Sequence, residues 1–139
     1  MIAPQIVTAA RGWIGTPYLH QAATKGAGCD CLGLIRGVWR EVMGQEPAHV
    51  PAYTPDWSEA EADERLWRAA AAHLTEKPAA DAAPGDVILF RMRNGSVAKH
   101  LGIVGNPDTF IHAYSGHGVV ESALTAPWAR RIVAAFSFS

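Results

Sequence analysis

Cysteine is scarce in this chain: of 139 residues only Cys29 and Cys31 carry a thiol, and Asp30 alone separates them. A bridge across one intervening residue would close a very tight, strained ring, so a disulfide framework is excluded and both thiols are expected to be reduced. An excess of one charge is lacking too. Twelve basic and thirteen acidic side chains leave a net charge of -1, without the broad cationic field that holds nucleic-acid phosphates, and nucleic acid is not an expected partner. No apolar run approaches the ~20 residues of a membrane-spanning helix, so membrane insertion is not expected. The opening Met1-Ile2-Ala3-Pro4-Gln5 lacks the charged and apolar regions of a secretory signal, which gives the expectation of a protein made in the cytoplasm without an export sequence of its own. The glycines at 26, 28 and 33 precede no GK[ST], which excludes a Walker-type phosphate loop. Cys29, Cys31, His100 and His112 form a nominal zinc set, but the chain has no CxxC or HxxxH motif, and neither metal nor cofactor is expected.

Nearly half of the residues are hydrophobic, enough for one globular domain over residues 1–139 with a single core. Apolar residues at Ile2, Ile6, Val7, Ala10 and Trp13 have helical spacing and predict a first helix, ended by Gly15-Thr16-Pro17-Tyr18. His20 to Gly28 has no periodic pattern and reads as a loop. Asp30 fits the N-cap of a second helix from about Cys31 to Met43, with Leu34, Ile35, Val38, Trp39 and Val42 inward and Gly44 as its stop. Ser58-Glu59-Ala60-Glu61 supplies a capping box for a third helix reaching about Leu74, and Lys77 to Pro84 reads as a surface loop. From Pro84 the period becomes that of strands: Asp86 to Met92, Leu101 to Gly105, Thr109 to Tyr114, Gly118 to Ser122 and Ile132 to Phe138. Helices followed by an antiparallel meander of about five strands predict an α+β domain.

Cys31 falls in the first turn of the second helix, where unpaired N–H groups and the helix dipole favour thiolate over thiol and offer donors to an oxyanion. An inert buried cysteine is the alternative. The histidines weigh against it. If His100 to His112 forms a hairpin centred near Asn106, each lies six positions from the centre and the two stand directly opposite, on one sheet face with Cβ atoms ~5 Å apart. A nucleophile, a base and an orienter are then all present. A slip of one residue in register would send one histidine to the other face. His49 and His73 read as surface residues, while His20 and His117 read as cleft-lining.

Taken in order, Gly15-Thr16-Pro17-Tyr18, Cys29-Asp30-Cys31-Leu32-Gly33-Leu34-Ile35, Pro84-Gly85-Asp86-Val87-Ile88-Leu89-Phe90, His100-Leu101-Gly102-Ile103-Val104 and Phe110-Ile111-His112-Ala113 resemble the successive motifs of the NlpC family of papain-like cell-wall cysteine peptidases. The resemblance implies N-terminal helices packed on an antiparallel sheet, with Cys31 as nucleophile, His100 as general base and His112 as the third member that orients His100. It places Tyr18 near the nucleophile, where with Asp30 and His20 it would form the substrate and oxyanion region. Leu32 stands where the family usually has Ser, which bears on substrate preference. The implied substrate is the peptidoglycan stem peptide, often cut between D-glutamate and a diamino acid through a thioester. The runs Cys29 to Trp39 and Phe110 to Tyr114 are similar to peptidases of phage tails and gene transfer agents, which implies tail-tip or baseplate proteins as partners and incorporation in a tail particle. A silent tail-assembly protein of the same fold and an amidase or acyltransferase are the competing readings.

Overall fold

The protein is described here by a computed structural model covering residues 2–46 and 64–138. Helix α1 spans Ala3–Gly12, with a proline in its first turn and Ile6, Val7 and Ala10 forming its buried stripe. A small hairpin, β1 (Ala23–Thr24) and β2 (Gly28–Cys29), precedes α2 (Cys31–Val42). The Asp30 side chain accepts from the Gly33 N–H at 2.8 Å and so caps α2 as expected from sequence. Gly44, at φ +96, follows the helix in the left-handed region that glycine enters without steric cost. Helix α3 (Arg65–His73) leads into β3 (Thr75–Lys77), and then β4 (Val87–Phe90), β5 (His100–Val104), β6 (Thr109–Tyr114), β7 (Gly118–Ala123), the short α4 (Ala126–Ala129) and β8 (Ile132–Ser137) complete the chain.

The larger sheet has six antiparallel strands in the order β3-β8-β4-β5-β6-β7. It follows the predicted α+β plan, with β3 added as an edge strand: Thr-Glu-Lys has no apolar alternation to announce it, and it is held by pairing with β8 and by Lys77 on Asp86. The loop predicted from His20 to Gly28 contains the β1–β2 hairpin, too short to show a period. Ser58 and its capping box, and the loop from Ala48 to Trp57, lie outside the described residues.

Strand β4 is buried along its whole length because both faces of the sheet are covered. Val87 and Leu89 join Ile6, Trp13, Leu34 and Val38 in the core beneath α1 and α2. Ile88 and Phe90 point the other way, into a smaller cluster with Val104, Phe110 and Trp128 of α4. Two glycines of α2 allow the close packing around its N-terminal half. A methyl group on Gly37 would overlap the Trp13 ring, and one on Gly33 would overlap the Ala22 carbonyl oxygen. Gly33→Ala gains about 1 kcal/mol of helix propensity, yet it forces backbone off the helix start at a cost of about 1–3 kcal/mol or more. The expected net result is a lower midpoint in chemical denaturation; an unchanged or higher midpoint would contradict the packing account.

Candidate active site

Three segments converge at the start of α2. Cys31 is buried, and its sulfur lies 3.8 Å from the Lys99 carbonyl oxygen, while the N–H groups of Leu101, Leu32 and Cys31 itself face the sulfur. The thiol therefore sits against the backbone on both sides of His100, the first residue of β5. His100 Nε2 and His112 Nδ1 are 2.8 Å apart, and His112 Nε2 lies 2.9 Å from Ser122 Oγ on β7. His112 is fully buried and His100 partly so.

The two histidines meet by a different register from the one predicted. Ile103 pairs with Ile111 and Val104 with Phe110, which centres the hairpin on Pro107 rather than Asn106. Continued, that register sets His100 opposite Tyr114 and His112 opposite Gly102. The turn is a three-residue loop held by Gly105 N–H to the Thr109 carbonyl at 3.0 Å and Asn106 N–H to Thr109 Oγ1 at 2.8 Å. Moving the centre by one residue shifts the pairing by two, and a shift of two preserves the face. His100 and His112 are thus diagonal neighbours, within reach of long side chains, and a Cβ on Gly102, opposite His112, would press on the Phe110 ring.

Burial dominates the electrostatics. It pushes the Cys31 thiol up to about 12, with the Asp30 carboxylate acting in the same direction, against the three backbone N–H groups that favour thiolate. The depression expected from the helix start is outweighed, because removing a charge from water costs more than partial dipoles return. The resting thiol is neutral. Burial also lowers His100 to about 3, assisted by His112, and lowers His112 to about 4, assisted by His117. An aromatic enclosure supplies that burial: Trp128 stands edge-on 5.3 Å from His112 and tilted 5.9 Å from His100, and Tyr114 stacks on both His112 and His117.

These depressed imidazoles have a consequence for stability. The unfolded chain binds protons on them near pH 6.5, while the folded chain does so only near 4 and 3, so stability is independent of the pair above about 6.5 and lost as pH falls. The loss reaches the order of a few kcal/mol by pH 4. The thermal midpoint should decline from pH 7 to pH 5, above the range where carboxylates titrate, and His112→Asn should show a shallower decline. Parallel curves for the two proteins would contradict the assignment.

Tyr18 forms an isolated bridge with Cys29 and is half-buried; desolvation first, and then the nearby Cys31, Asp30 and Cys29, hold its hydroxyl protonated, pushed up to about 12. Asp30 is turned inward, with Oδ1 on the Gly33 N–H and Oδ2 on the Gln21 N–H at 2.7 Å, so it braces the helix start and the 20–22 turn. His20 borders that turn, with Nδ1 3.7 Å from Asp30 Oδ2 and Nε2 3.2 Å from Gln21 Nε2. Leu32 packs at the margin of the main core. Sequence reasoning missed Ser122 and Trp128. Tyr114 was available from strand alternation, two residues beyond His112, but nothing local relates Ser122 or Trp128 to the histidines. Among the described residues, no group of three or more His, Cys, Asp or Glu side chains is arranged to hold a metal ion.

Residues 15–137 match the NlpC/P60 family. The chain is 28% identical over 115 residues to the probable endopeptidase NlpC of Escherichia coli K12, covering 82% of this chain and 63% of that protein. It is 30% identical over 120 residues to the murein DD-endopeptidase MepS/murein LD-carboxypeptidase of the same organism, covering 86% of this chain and 54% of that one. It thus spans between about half and two thirds of the length of these relatives. Among solved structures, NlpC2 from Trichomonas vaginalis superposes with a TM-score of 0.69 at 18% identity, over 98% of this chain and 46% of that one, a likeness of fold.

Proposed function

This chain belongs to the NlpC/P60 family, and on that premise we propose that it is a cysteine peptidase that hydrolyses the peptide of bacterial peptidoglycan. The observation that carries the reading is the convergence of Cys31, seated against the backbone that flanks His100, with the His100–His112 hydrogen bond. In the proposed reaction the thiol proton passes to His100 as Cys31 sulfur attacks the amide carbonyl. His100 Nε2 is engaged by His112, so Nδ1 is the nitrogen that receives the proton. The oxyanion is met by N–H groups at the start of α2. His100 returns the proton to the departing amine, and a water molecule, deprotonated by His100, hydrolyses the thioester.

The enzyme is tested with purified peptidoglycan fragments and mass analysis of the products, with Cys31→Ala as control. New amine and carboxyl ends at one stem-peptide bond support the reading; intact fragments overturn it. Within it, the bond proposed is that between D-glutamate and a diamino acid, which the masses identify.

The setting proposed is a phage-like tail particle, assembled from protein made in the cytoplasm, that opens the wall, with tail-tip or baseplate proteins as partners. The likeness of Cys29 to Trp39 and Phe110 to Tyr114 to tail peptidases supports it. Cofractionation with particles is the expected outcome, and recovery only as free protein would overturn it. A silent structural protein would instead give full particle assembly with Cys31→Ala and no turnover by wild type.

A further inference from the structure

His100, His112 and Ser122 form one line across three adjacent strands. The register sets His112 opposite Val120 and Phe110 opposite Ser122, so Ser122 lies two residues along β7 from the position facing His112. His112 lies two residues along β6 from the position facing His100, in the same direction. All three side chains therefore share one sheet face, and each link is a diagonal one. The links measure 2.8 Å from His100 to His112 and 2.9 Å from His112 to Ser122.

A neutral imidazole carries one proton, so its two nitrogens have opposite roles. Two assignments satisfy the line. In the first, His112 donates from Nε2 to Ser122 Oγ, its Nδ1 accepts from His100 Nε2–H, and His100 Nδ1 is left bare. In the second, every bond runs the other way and His100 carries its proton on Nδ1. Only the first leaves His100 a nitrogen that can take the thiol proton. Ser122 can act as acceptor there because it is partly exposed, which leaves its own hydroxyl proton for water.

We propose that Ser122 is a positioning residue: by accepting from His112 Nε2–H it holds His112, and through it His100, in the tautomers that leave His100 Nδ1 without a proton. The catalytic consequence rests on the peptidase reading, whereas the tautomers belong to the resting protein and are measured without substrate.

The experiment is 15N NMR of histidine-labelled protein at pH 7, joined to kinetics on peptidoglycan fragments. Wild type should show protonated Nε2 and acceptor Nδ1 at both His100 and His112. Ser122→Ala should give mixed or inverted tautomers at His112 and lower kcat about tenfold with KM unchanged, the scale of one lost hydrogen bond. Ser122→Thr, which keeps the hydroxyl, should restore both, and it serves as the test should the alanine variant fail to fold. A wild-type His112 protonated at Nδ1, or unchanged tautomers and kcat in Ser122→Ala, would overturn the relay. A wild type with the expected tautomers that hydrolyses nothing would overturn the peptidase reading alone.

Discussion

Cys31→Ala is expected to lower kcat/KM on peptidoglycan fragments by at least about four orders of magnitude while leaving the fold intact. The reasoning is chemical: Cys31 is the thiol seated against the backbone that flanks His100, while the Ser122 hydroxyl lies beyond His112. Asp30, whose oxygens are committed to backbone N–H groups, cannot substitute. The substitution removes one buried sulfur and preserves Cβ, so the circular-dichroism spectrum should be unchanged and the melting temperature only slightly lower. Wild-type turnover by this variant, with the spectrum unchanged, would remove Cys31 from the mechanism.

His100→Asn should cost about three to four orders of magnitude in kcat/KM, the upper end of the range for a general base. With the thiol pushed up to about 12, only about one molecule in 10⁵ carries thiolate at pH 7 without help, so base assistance decides the rate. The variant should therefore show a residual rate that climbs about tenfold per pH unit between pH 7 and 9, following thiolate, where wild type stays nearly flat. Iodoacetamide labelling of Cys31 should follow the same two profiles. Wild-type activity rising as steeply as the variant's would mean that His100 takes no proton from Cys31.

Asp30 and Cys31 illustrate how much the sequence discloses. An N-cap acts within three residues, so Asp30, Gly33 and the helix that begins at Cys31 are local facts, and the structure repeats them. Strand alternation is equally local, and β4 to β8 fall within a residue or two of their predicted ranges at each end. The pairing of His100 with His112 was read correctly as to face but from the wrong centre, because face depends on parity while register depends on the turn, and Thr109 Oγ1 shapes that turn. The charge state of Cys31 was not legible. A helix dipole is implied by a helix start, but the burial that overrides it comes from elements more than sixty residues away.

The sequence by itself determined the α+β plan, the capped helix that carries Cys31, and the residue types that a thiol mechanism requires, since each follows from spacing along a few turns or strands. Tertiary structure alone decided what those residues meet. It placed the sulfur between the backbone of Lys99 and Leu101, drew Ser122 into line with two histidines, and enclosed the pair beneath Trp128. Those contacts join strands and helices far apart in the chain. Their desolvation sets both the neutral resting thiol and the neutral imidazoles, a property that no local spacing encodes.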